Sequence, residues 1–133
     1  MKHLVLASLL VAAACATSPY EQPYSIIAVD PARAADPHVI AVFINRVDER
    51  NSLFPDRTVV PPGHHRVTVD VPPRKGFHLP TQSTFELQTE PCTRYYISAR
   101  LDTLVTQEWK PVVRSVEPIG ECLSKFHLAS GVR

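Results

Sequence analysis

HHRVTVDV, residues 64–71, places Val67, Val69 and Val71 on one parity and Arg66, Thr68 and Asp70 on the other. Successive side chains of an extended chain point to opposite faces, so this period of two defines a half-buried β-strand. TRYYISARL, residues 93–101, repeats the pattern with Tyr95, Ile97, Ala99 and Leu101 opposed to Arg94, Tyr96, Ser98 and Arg100. STFELQT, residues 83–89, sets Phe85 and Leu87 against Thr84, Glu86 and Gln88. HVIAVFINRV, residues 38–47, is apolar on both parities as far as Ile44, which suits a strand covered on both faces. WKPVVRSVE, residues 109–117, contains Pro111, which has no N–H to donate to a ladder, so this run belongs at a sheet edge.

The stretches between these runs, residues 48–56, 61–63, 72–80 and 102–108, are polar or rich in breakers and read as turns and loops. Helical periodicity is weak everywhere beyond the N-terminal segment, and residues 123–133 form a tail with length for a single helical turn. A chain of 133 residues with 44% hydrophobic and 20% charged residues is the size and composition of one globular domain. The expected fold is therefore all-β: a small antiparallel sandwich of five to six strands over residues 38–122, immunoglobulin-like or transthyretin-like. The formal net charge of +1, with no basic or acidic run, excludes a dedicated nucleic-acid binder.

The N-terminus carries a different signal. MKHLVLASLLVAAA, residues 1–14, has a charged start at Lys2, an apolar run too short to span a bilayer as a helix, and three alanines before Cys15. This is the pattern of a helical export signal, and Ala12-Ala13-Ala14-Cys15 resembles the lipobox of bacterial lipoproteins. The resemblance implies cleavage before Cys15, acylation of its thiol and acylation of the new N-terminus. Several acyl chains on one residue hold a small domain on a membrane permanently, where a single chain does not. Ala16, in place of an aspartate, resembles the sorting signal for the periplasmic face of the outer membrane in Gram-negative bacteria. The competing reading is ordinary signal cleavage after Ala14 or Ala16, with Cys15 incidental. Residues 16–37 contain Pro19, Pro23, Pro31 and Pro37 and read, with Cys15, as a Pro-rich tether over 15–37 that reaches on the order of 60 Å if extended. SIIAV, residues 25–29, is the one patch within it suited to docking as an edge strand.

With Cys15 assigned to lipid, two of the three cysteines remain for the folded part. In an oxidising periplasm Cys92 and Cys122 pair as a disulfide, because they lack the CxxC spacing of a redox or metal pair. Val47-Asp48 after an apolar strand, Pro62-Gly63-His64 leading into Val67-Thr68-Val69, and Tyr95-Tyr96-Ile97 together resemble PEGA-type sandwich modules and related lipoproteins of unknown function. That resemblance covers about 65 residues and implies attachment or assembly without catalysis.

Residues in patterns that carry chemistry are few. Adjacent His64 and His65 point to opposite faces of a strand, and His38, His78 and His127 complete no metal-ligand spacing, so no metal site is expected. Asp48, Glu49 and Asp56 alternate with Arg46, Arg50 and Arg57 as a solvated rim. No serine sits in a GxSxG elbow, and four glycines leave no phosphate-cradling loop, so neither a catalytic site nor a cofactor is expected. Arg66, Arg94, Tyr96 and Arg100 fall on the outward parity of their strands and form a candidate partner patch of the composition enriched at binding hot spots; the plainer alternative is a solvated sheet face. Trp109 reads either as core cover or as a ligand platform.

These observations lead to one expectation: a lipid-anchored, non-catalytic attachment or assembly module of the bacterial envelope, held on the outer membrane, with an envelope protein as partner and no nucleic acid. A binder of peptidoglycan or a small hydrophobic molecule is the first alternative. A hydrolase with an unrecognised site is the second.

Overall fold

The computed structural model describes residues 17–31, 36–73, 81–105 and 108–131. The signal segment 1–14, Cys15 and His78 lie outside the described residues. In chain order the elements are β1 Ser25–Val29, β2 Val39–Ile40, β3 Phe43–Val47, β4 Arg50–Asn51, β5 Arg57–Val60, β6 Gly63–Asp70, β7 Gln82–Thr89, β8 Thr93–Leu101, β9 Trp109–Pro118 and α1 Gly120–Phe126.

Alternation works as expected wherever it is clean. Val67, Val69 and Val71 of the β6 run and Tyr95, Ile97, Ala99 and Leu101 of β8 all turn inward and are buried, while Arg66, Arg94 and Arg100 turn outward. Leu87 and Phe85 of β7 follow the same rule. The strands assemble into two sheets. In one, β8 is flanked along its whole length by β9 and on its other side by β1 and then β2, and β5 closes the far edge against β1. In the other, the order is β4-β3-β6-β7. Ile27, Val60, Tyr95, Ile97 and Ala99 from the first sheet meet Ile44, Val47, Val67, Val69 and Leu87 from the second, and this apolar layer is the core. The fold is a small all-β sandwich.

Three details differ from the sequence-based expectation. First, β1 is an inner strand, lying between β8 and β5, with Ile27 fully buried. The folded unit thus begins upstream of residue 38, and residues 25–29 belong to it and not to a tether. Proline spacing misleads here because Pro23 and Pro31 bracket the five residues and none falls within them. Second, β1 runs parallel to β8, so the first sheet is mixed, and the short strands β2, β4 and β5 raise the count of described strands to nine. Third, residues 38–47 form two strands in different sheets: β2 pairs with β8, β3 pairs with β6, and the chain passes between the layers at Val42, which is buried. The run is apolar on both parities because it changes sheets midway.

A second, smaller core sits under α1, where Tyr24, Cys92, Ile119 and Cys122 are buried together with Leu123 and Phe126 packed against them. The Cys92–Cys122 disulfide joins the β7–β8 turn to this helix. The helix crosses the expected boundary at residue 122, so Leu123 and Phe126 are part of the fold and not of a free tail. Its C-terminus is closed by His127 in the left-handed conformation, its N–H donating to the Leu123 carbonyl. Among the described residues, no helix is long and apolar enough to cross a membrane.

Candidate functional site

The four residues of the sequence-derived patch separate in three dimensions. Arg94 and Tyr96 are neighbours on the outward face of β8. Arg100 stands six residues along the same strand, about 20 Å away at roughly 3.3 Å per residue, where it pairs with Asp36 at 3.6 Å. Arg66 belongs to the other sheet, beside Glu86 at 3.0 Å and Glu49 at 3.7 Å. Outward parity is common to all four, but the outward faces of the two sheets of a sandwich look in opposite directions. The patch as drawn from the sequence does not exist as one surface.

What the structure does bring together is Arg94, Tyr96 and Glu117. The register of β8 with β9 sets Arg94 opposite Glu117. One carboxylate oxygen, Glu117 Oε1, accepts from Arg94 Nη1 at 2.9 Å and from Tyr96 Oη at 2.7 Å. These two hydrogen bonds, the tyrosine's first, hold the Glu117 carboxyl below its ordinary range. The same bond to Glu117, reinforced by burial, pushes the Tyr96 hydroxyl up. The result is a fixed cluster of a cation, an anion and an aromatic ring, half exposed, beside a shallow depression floored by Ile26, Ala28 and Val59. Glu117 is missing from the sequence-based patch because its role depends on register, which alternation within one strand does not reveal.

The cluster adjoins a sheet edge. Among the described residues β9 pairs only with β8. A register shift between Tyr96 and Ile97 inserts Arg114 as an extra residue in β9. Val113 and Val116 share the face of the buried Ile97 and Tyr95 opposite them, yet each is 39% exposed. The β9 edge therefore has a polar, hydrogen-bonded border on one face and an apolar border on the other.

Elsewhere, His65 and His64 do diverge to opposite faces. His65 is only 4% exposed, with Nδ1 at 2.6 Å from Asp48 Oδ2 and Nε2 at 2.6 Å from the Pro61 carbonyl, whereas His64 is exposed beside Glu86 at 3.2 Å. Among the described residues, no group of three or more His, Cys, Asp or Glu side chains is placed to hold a metal ion. A cleft of about 660 Å³ opens beside β5 and the β4–β5 loop, lined by Tyr20, Val47, Leu53, Phe54 and Val59 together with Arg50 and Arg57. On sequence alone residues 48–56 read as a loop whose Asp48, Glu49 and Asp56 alternate with arginines; the Leu53-Phe54 pair within it is the available signal of an apolar surface. Trp109 packs against the core, as core cover.

No protein-family model, curated protein or solved structure matches this chain.

Proposed function

We propose that this protein is a non-catalytic attachment module of the bacterial envelope, anchored through an acylated Cys15 on the periplasmic face of the outer membrane, and that its partner-binding surface is the β9 edge. The observation that carries the binding surface is that, among the described residues, β9 pairs on one side only, and that its stretch over residues 112–117 is bordered by Val113 and Val116 on one face and by Arg94, Tyr96 and Glu117 on the other. An extended segment of a partner adds to such an edge through main-chain hydrogen bonds, which supply affinity, while the side chains along the two borders supply selectivity. Tyr and Arg in a half-desolvated cluster are the residue types that dominate binding energy at protein interfaces. The PEGA-like order of turns and strands supports the same reading.

A photo-crosslinking residue placed at Val113 or Val116 tests it in intact envelopes, with Arg46 on the opposite sheet as control. The expected result is a discrete adduct with an envelope protein from the β9 positions and none from Arg46. Absence of any adduct at both β9 positions overturns the proposal. The 660 Å³ cleft favours a second reading, binding of a small hydrophobic envelope molecule, since ligand pockets fall in the range of about 300–1,000 Å³. Phe54→Ala weakening the binding of a small hydrophobic probe, with the Val113 variants unaffected, selects that reading.

A further inference from the structure

The β4–β5 loop exposes two consecutive large apolar side chains, Leu53 at 90% and Phe54 at 59%. The exposure is built in and does not come from a slack loop. On one side the Ser52 N–H donates to the Asn45 carbonyl at 2.8 Å; on the other the Ile44 N–H donates to the Pro55 carbonyl at 2.9 Å. Across the tip, Ser52 Oγ donates to the Phe54 carbonyl at 2.6 Å. With both ends of the loop bonded to β3, the two side chains are held away from the core. Adjacent exposed apolar residues fixed in this way mark an interaction surface.

Tyr20 lines the same cleft as Leu53 and Phe54. It is held in place: Lys125 Nζ donates to its carbonyl, and its ring meets the Tyr24 ring edge-on with centroids 5.0 Å apart. Cys15 precedes Tyr20 by five residues, a span of at most about 18 Å when fully extended. The reach of the lipid anchor is thus set by this short segment and not by the 60 Å tether that residues 16–37 suggest when read as extended chain. Arg50 and Arg57 border the cleft and carry the charge that anionic headgroups attract, while the Asp48 carboxylate on the same lining is bonded to His65 and the Arg66 N–H.

We propose that the Leu53–Phe54 loop is a membrane-resting face: the domain lies on the lipid surface with Leu53 and Phe54 inserted among the headgroups and Tyr20 at the contact. This rests on the anchor at Cys15 described above, and it goes further by orienting the domain and leaving the β9 edge available to a partner. Two apolar side chains at a loop tip, added to covalent acyl chains, act as the second contact that fixes orientation on a bilayer.

The test uses the processed full chain reconstituted into vesicles of phosphatidylethanolamine and phosphatidylglycerol. Leu53→Cys, Phe54→Cys and, as a control on β7, Thr84→Cys are labelled with a membrane-impermeant maleimide. The expected result is labelling of positions 53 and 54 at least tenfold slower than position 84 on vesicles, with the difference abolished in detergent. Equal rates on vesicles overturn the proposal, as does protection seen only in cell membranes, which assigns the cover to a protein. Cys15→Ala separates the two readings. Release into the soluble fraction with fast labelling at 53 supports anchor and face together. Retention with protection supports the face and overturns the anchor, and retention with fast labelling overturns both.

Discussion

Asp48 does more for this fold than its place in a charged turn suggests. Asp48 and Glu49 both have positive φ, at 49° and 64°, and together make the two-residue turn that pairs Val47 with Arg50. The Asp48 N–H donates to the Arg66 carbonyl, while its carboxylate accepts from the Arg66 N–H at 2.9 Å and from the His65 ring. The β3–β4 turn is thereby fastened to β6. Burial acts to raise the Asp48 carboxyl, but the hydrogen bonds from His65 and Arg66 outweigh it and hold the group below its ordinary 3.8. A carboxyl depressed in the folded state contributes stability above its unfolded value, and that contribution is lost as pH falls through the folded value. Asp48→Ala is expected to cost about 1–3 kcal/mol at neutral pH in denaturant unfolding, because it leaves the buried His65 ring without its carboxylate partner. The stability difference between wild type and Asp48→Asn is expected to shrink as pH falls below about 4. A difference that stays constant to the lowest pH at which the protein folds contradicts the assignment.

Among elements, β1 carries the most consequence for its length. Five residues join β8 to β5, and Ile27 at their centre lies beside Tyr95 in register and is fully buried in the core. Ile27→Ala is expected to lower stability by about 2–5 kcal/mol, the usual cost of emptying a core site of this size. A chain starting at residue 38 lacks this strand altogether and is expected to show no cooperative unfolding transition; native-like melting of that fragment contradicts the inner position of β1. The sequence hides this element for a physical reason. SIIAV is too short and too uniformly apolar to show a period, and the prolines around it suggest an extended tether. β5, with RTVV in register against β1, is hidden in the same way. By contrast β6, β7 and β8 are legible because each has one face in the core and one in water, so burial writes itself into the sequence as alternation. β9 is legible through Pro111, which only an edge tolerates.

At the scale of the molecule, the sandwich is closed at one end by the second core, where the disulfide ties α1 to the β7–β8 turn. The Cys92 N–H donates to the Tyr24 carbonyl and the Ile119 N–H to the Cys92 carbonyl, so the segment entering β1, the turn and the helix meet at one residue. Cross-linking positions 30 residues apart removes loop entropy from the unfolded chain worth about 3–4 kcal/mol. A Cys92→Ala/Cys122→Ala variant is expected to lose that much in denaturant unfolding, and an unchanged midpoint rules out a structural role for the bond. The sequence by itself determined the all-β class, three strands with their inward faces, a fourth as an edge, and the disulfide, because alternation, proline chemistry and the pairing of leftover thiols are properties of short segments or of composition. Only the tertiary structure decided that residues 25–29 are interior, that residues 38–47 change sheets, and that Arg94 and Tyr96 share a surface with Glu117 and not with Arg66 or Arg100. Those facts depend on which strand lies beside which and which way each sheet faces, and pairing between residues far apart in the chain leaves no periodic trace in either partner alone.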